Sequence, residues 1–168
     1  MKKISKQEWL EESLNVLASD GHQGLKIDRM CKRLSVTKGS FYHHFSSLER
    51  YKKQVLQFVL SQHLPHRDLK ALPESQLRVE QALRGWAQQE QAARDILHQL
   101  DESRIGLLKQ QYVEEGLVPR VAQDIAQMAY AGFLGIQQLR GLLPEAELES
   151  MWYMLNRMLK TEVERRKS

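Results

Sequence analysis

One cysteine in 168 residues, Cys31, leaves no possibility of an internal disulfide. It falls among the apolar positions of its segment with no cysteine or histidine close by in sequence, so it reads as a small buried residue and not as a redox centre. Only four prolines interrupt the chain, and with nine glycines and few β-branched runs this favours helices over sheets. No apolar run approaches the roughly 20 residues of a membrane span, and no apolar stretch follows Met1-Lys-Lys, so neither a membrane partner nor a secretory leader is expected. A Gly-rich phosphate loop, an H-E-x-x-H pair and a nucleophile elbow are all missing, and the carboxylates fall on outward helical positions; no catalytic residues and no cofactor are expected. These absences describe a soluble cytoplasmic protein that is not an enzyme.

The charge that is present is unevenly placed. Residues 1–53 hold 11 Lys/Arg against 6 Asp/Glu, a net +5, whereas residues 54–168 hold 14 against 15, a net −1. A basic surplus confined to one end attracts polyanions there, without sequence preference.

Ser5 to Glu8 has capping-box spacing, and Trp9, Leu10, Leu14 and Leu17 then recur at helical intervals up to Asp20-Gly21. This predicts a first helix with one buried side, preceded by the basic residues Lys2, Lys3 and Lys6. After a connector at His22–Leu25, the residues Ile27, Met30, Cys31 and Leu34 mark the inner face of a second helix. Asp28, Arg29, Lys32 and Arg33 face outward. Ser35-Val36-Thr37 is a turn, and Thr37 is a suitable N-cap for a third helix in which Phe41 and Phe45 point inward with Val36. Helix, three-residue turn and short helix together make helix-turn-helix geometry.

The outside of the third helix carries Lys38, Gly39, Ser40, His43 and His44, with Tyr42 at its edge. Lys38 suits a phosphate at the helix start, and Gly39 lets a backbone approach closely. Ser40 and His43 can exchange hydrogen bonds with base edges, while Tyr42 and His44 can hold phosphate oxygens. Adjacent His43 and His44 project about 100° apart on a helix, a poor arrangement for sharing a metal.

Gly21 through Tyr51, GHQGLKIDRMCKRLSVTKGSFYHHFSSLERY, resembles the DNA-binding domain of the TetR family of bacterial transcription regulators, and K-G-S-F-Y-H-H-F is its most specific part. The resemblance implies a third helix that reads DNA through Lys38, Gly39, Ser40, Tyr42, His43 and His44. Departures from the family pattern are Ser35 in place of the usual turn glycine, Cys31 and Leu34 in place of alanines, Lys26 in place of a capping Thr/Ser, and Leu48 in place of a phosphate-reaching lysine. Lys26 loses a cap and gains a possible phosphate contact, which implies a footprint shifted toward the second helix.

Ser46 to Glu49 again has capping-box spacing and predicts a fourth helix to about Leu64, with Tyr51, Val55, Phe58 and Val59 on its apolar side. The domain boundary is placed here: residues 1–46 for DNA binding, residues 47–168 for ligand binding and dimerisation. His63, His66 and Asp68 invite a metal, but the intervening Pro65 breaks their spacing and a linker is expected. Pro73-Glu74 starts a helix burying Leu77, Leu83 and Trp86. A further helical pattern ends at Gly116, with the break before it placed near residues 91–95. Pro119 and Pro144 open the last two helices, and Gly141 closes the first of them.

In the first of these, Val121, Ile125, Met128, Gly132, Gly135 and Leu139 form one stripe, and Ala122, Ala126, Ala129, Phe133 and Ile136 another. In the second, Leu148, Met151, Trp152, Leu155, Met158 and Leu159 fall at spacings of three and four. These helices are expected to meet their copies across a two-fold axis, with Gly132 and Gly135 permitting close approach. Trp86, Tyr112 and Phe133 are candidates to line an effector pocket.

The expectation is therefore an all-α protein, a helix-turn-helix domain followed by a helical regulatory domain. It would act as a homodimeric regulator of a near-palindromic double-stranded operator, a repressor released by a small molecule. The alternatives are a helical dimeric partner-binding protein, or an activator with no small-molecule effector.

Overall fold

The computed structural model describes residues 4–63 and 72–167. Lys2, Lys3, Leu64, His66 and Asp68 lie outside them. The described residues form eight α-helices and one single-turn 3-10 helix, His22–Gly24, with no strand. In chain order the helices are α1 (Lys6–Asp20), α2 (Ile27–Leu34), α3 (Lys38–His44), α4 (Leu48–His63), α5 (Glu74–Ala87), α6 (Gln91–Glu114), α7 (Pro119–Gln138) and α8 (Glu145–Lys167).

The described residues divide into two compact units, the first of residues 4–63 and 72–100, the second of residues 101–167. The first unit thus runs well past residue 46: α4, α5 and the first half of α6 share a core with α1 to α3.

Within that unit, α1 begins on a complete capping box. Ser5 Oγ accepts from the Glu8 N–H at 3.2 Å, and Glu8 Oε2 accepts from the Ser5 N–H at 2.7 Å. Gly21, at φ +67°, ends it with its N–H on the Leu17 carbonyl. The inner side of α1 carries Trp9, Val16 and Leu17, all buried. Trp9 meets Phe41, Phe45 and Tyr51 edge-on, with ring centroids 5.5, 6.0 and 6.5 Å away. This four-ring cluster joins α1, α3 and α4, and each edge-to-face pair adds roughly 0.5–1.5 kcal/mol beyond burial.

Tyr51 is also tied by a polar bond. Ser13 Oγ donates to the Trp9 carbonyl at 2.6 Å, so the Tyr51 hydroxyl 2.6 Å from Ser13 Oγ is the donor of that pair. Burial pushes the Tyr51 hydroxyl pKa up to about 12.

Three details differ from the sequence expectation. Thr37 occupies the N-cap of α3, but its side chain makes no capping bond. The Ser46–Glu49 capping box does not form; Ser47 Oγ instead accepts from the Arg50 N–H at 3.1 Å, and α4 starts at Leu48. The break between α5 and α6 falls at residues 88–90, ahead of the expected position, with the Gln89 and Glu90 N–H groups both on the Trp86 carbonyl.

A fourth difference concerns buried polarity. His63 and Glu80 are buried, and His63 Nδ1 lies 2.8 Å from Glu80 Oε1. Glu80 is therefore an exception to the expectation that carboxylates face solvent. Pairing with an imidazole offsets the cost of burying it.

Gly116, φ +101°, lies in the turn after α6, and α7 opens with Pro119 at its first turn. Gly141, φ +86°, follows the end of α7. The stripe Ala122, Ala126, Ala129, Phe133 and Ile136 is buried throughout. Phe133 meets Trp152 of α8 edge-on at 6.0 Å and stacks on Tyr130, whose hydroxyl donates to Asp101 at 2.6 Å.

Candidate nucleic-acid interface

The turn between α2 and α3 sets the direction of α3. Ser35 adopts the left-handed conformation, φ 56° and ψ 45°. Its N–H bonds to the Lys32 carbonyl at 3.2 Å while the Val36 N–H bonds to Cys31 at 3.0 Å. These are the two hydrogen bonds of a Schellman motif, which ends α2 and redirects the chain within three residues. The family's turn glycine would adopt this φ without the penalty a Cβ imposes on serine.

Once redirected, α3 is held by two aromatic side chains. Phe41 and Phe45 are wholly buried in the four-ring cluster. Their spacing leaves Lys38, Gly39, Tyr42 and His43 exposed, with Ser40 half-buried beside them. Tyr42, 57% exposed, is the large apolar ring this surface offers to solvent. His44 is placed differently: it is half-buried, and its Nε2 lies 2.9 Å from the Ile4 carbonyl, tying α3 to the segment before α1.

An added Cβ at Gly39 would meet only Thr37 Oγ1, at 3.5 Å. The protein interior thus makes no demand for glycine there.

The cations divide into two sets. Arg29 pairs with Asp20 at 2.5 Å, and Arg33 with Glu12, so both bind α2 to α1. Hydrogen bonding and attraction to Glu12 raise the Arg33 pKa. Lys38 Nζ lies 2.6 Å from Asp28 Oδ1, across the turn from α2, and this contact raises its pKa too. Lys26 occupies the exposed N-cap of α2 with no side-chain capping bond. Leu48, where the family pattern has a lysine, is half-buried against the core.

The other sequence-predicted residues belong to two different units. Trp86 is fully buried in the first unit, its Nε1 donating to Glu90 at 2.6 Å and its ring stacked on His22 at 5.5 Å. Tyr112 and Phe133 belong to the second unit. Phe133 is buried; Tyr112 is half-buried, and burial raises its pKa.

The expected interface stripe is split. Ile125 and Leu148 are buried within the chain, and Val121, Trp152, Leu155 and Leu159 are half-buried. A Cβ on Gly132 would lie 2.6 Å from Leu155 Cδ2, so this glycine serves the packing of α7 on α8 in the same chain. Met128, Met151 and Met158 are exposed, as is Gly135, and they are joined by Met154 and Tyr153, which sequence spacing had not singled out.

The described residues are helical, with a Schellman-turned helix-turn-helix near the start of the chain. More narrowly, the chain has a TetR-like fold. A transcriptional regulator from Rhodococcus superposes with a TM-score of 0.73 at 18% identity, over 94% of this chain and 97% of that one. A second Rhodococcus structure, described as a TetR-family transcriptional regulator, superposes at 0.69 and 18% identity, again over 94% and 97%. A TetR variant from Acinetobacter baumannii in complex with minocycline superposes at 0.51 and 14% identity, over 99% of this chain and 100% of that one. No family model and no curated protein matches the sequence. Among the described residues no helix is long and apolar enough to cross a membrane.

Proposed function

We propose that the protein is a dimeric, sequence-specific DNA-binding transcriptional regulator, a repressor released by a small-molecule effector. The observation that carries this reading is the α3 surface: Lys38, Gly39, Tyr42 and His43 are presented outward by a helix anchored through Phe41 and Phe45. In this reading Lys38, Tyr42 and Lys26 hold phosphates, Gly39 admits the backbone, and Ser40 and His43 meet base edges. His44 acts at the edge of that surface while fixed to Ile4.

Residues 1–46 would carry DNA binding, and residues 47–168 effector binding and dimerisation. The exposed methionines of α7 and α8 support a partner copy, because a soluble monomer seldom leaves so much apolar surface uncovered. A two-fold dimer would set its α3 helices about 34 to 36 Å apart, one DNA turn, and require a near-palindromic operator. The minocycline complex among the structural neighbours supports a small-molecule effector.

Selection of randomised duplex DNA by the purified protein at two salt concentrations tests the reading. A palindrome that survives the higher salt, and is lost in a Lys38→Ala/Tyr42→Ala variant, is the expected outcome. Recovery of unsorted, salt-labile DNA alone would leave only phosphate attraction. The Asp28 partner of Lys38 and the apolar residue at Leu48 would then favour a partner-binding dimer.

A further inference from the structure

The segment that leads into α1 is fixed to the far end of α3. A carbonyl oxygen only accepts, so in the 2.9 Å contact between His44 Nε2 and the Ile4 carbonyl the imidazole is the donor. The Ile4 side chain is buried in the same core that holds Phe41 and Phe45. Main chain and side chain together pin residue 4 beside the last turn of α3.

Two residues further on, Lys6 opens α1 and is exposed. Its Nζ lies 5.8 Å from the ring centre of Phe45, the C-cap of α3. Among the described residues no carboxylate pairs with Lys6, whereas Arg29, Arg33 and Lys38 are each paired with one. Ser46, Ser47 and Leu48, which follow α3 directly, carry no charge, so the cation at this end of the helix comes from α1. Glu8, the nearest acid along α1, is engaged with Ser5 in the capping box.

The seven residues of α3 span about 10 Å along its axis. Lys38 at its start and Lys6 at its end therefore flank a helix close in length to the roughly 12 Å width of a major groove, which phosphates border on both sides. Lys3 and Lys2 precede the pinned Ile4 in sequence, so Ile4 is the point to which their charge is tethered.

We infer that residues 2–6 form a second DNA-contacting element, in which Lys6 takes a backbone phosphate at the far end of α3 and Lys3 and Lys2 take phosphates of the flanking duplex, outside the bases that α3 meets. This rests on the DNA-binding reading above but not on its sequence specificity, because phosphate contacts position a protein without specifying sequence.

Fluorescence anisotropy of the full chain on the selected operator and on a random duplex, each over a salt series, tests the contact. Lys6→Gln should make the log–log salt slope shallower by about one per subunit on both duplexes, and Lys2→Gln with Lys3→Gln by about one to two. Repeat selection with either variant should return the same palindrome. Glutamine is about as good a helix former as lysine, so the start of α1 is kept. Lys160→Gln, an equal loss of charge at an exposed position of α8, should leave the slope unchanged. A parental slope in Lys6→Gln or in the Lys2/Lys3 variant overturns the inference, as does an equal drop in Lys160→Gln. If no palindrome is selected but the slopes fall on random duplex, the sequence-specific reading fails and the contact stands. If the palindrome is selected and the slopes do not move, the contact falls and the regulator reading stands. A chain that binds neither duplex sinks both.

Discussion

A methyl group added at Gly39 would meet only Thr37 Oγ1, at ordinary contact distance. Alanine is also the better helix former, so Gly39→Ala should raise unfolding stability by roughly 0.5–1 kcal/mol. The same methyl would stand where the DNA backbone approaches, and operator affinity should fall at least tenfold. Denaturant titration and fluorescence anisotropy on one preparation check the two opposite signs. Asp28 is the second telling residue, because it holds Lys38 before DNA arrives. Asp28→Asn frees that ammonium to release a counterion on DNA, so binding should tighten at low salt and the log–log salt slope steepen by roughly one. An unchanged slope would mean that Lys38 does not reach phosphate.

At the scale of elements, the α2–α3 turn and the α1–α4 contact each carry a measurable energy. Ser35 stands at φ 56°, where a Cβ is strained. Ser35→Gly should therefore stabilise the fold by up to about 1 kcal/mol, read as a shift of the denaturation midpoint. Tyr51 docks α4 on α1 through Ser13, and its hydroxyl pKa stands at about 12 against an ordinary 10.0. Between those values the unfolded chain loses the proton that the folded one keeps, so stability is complete below pH 10 and declines as pH rises toward 12. The loss is on the order of 2–3 kcal/mol. Tyr51→Phe should cost about 1 kcal/mol near neutral pH and flatten that alkaline decline, which a series of denaturation curves from neutral to alkaline pH would follow.

For the whole molecule the proposed dimer can be tested at the exposed methionines of α8. Met151 and Met158 are 37% and 63% exposed, so charging them leaves the chain's own core intact. Met151→Lys with Met158→Lys should yield a folded monomer by sedimentation, with operator affinity reduced at least tenfold as the second half-site contact becomes intermolecular. A double variant that remains dimeric would place the interface elsewhere.

Periodicity and turn chemistry settled much of this protein before any coordinates. The capping box at Ser5, the extents of α2 and α3, the stops at Gly21 and Gly116 and the inward Phe41 and Phe45 are local consequences of which residues sit three or four apart, and backbone hydrogen bonding acts over that same range. Spacing alone could not say which of two apolar stripes a neighbouring helix covers. It therefore grouped the buried Ile125 and Leu148 and the intrachain Gly132 with the exposed Met128, Met151 and Met158. Nor could it bring Glu80 to His63, or tell that Trp86 belongs to one unit and Tyr112 and Phe133 to the other. Those relations join residues distant in sequence, and they are decided by how helices pack once the chain has paid the entropy of bringing them together.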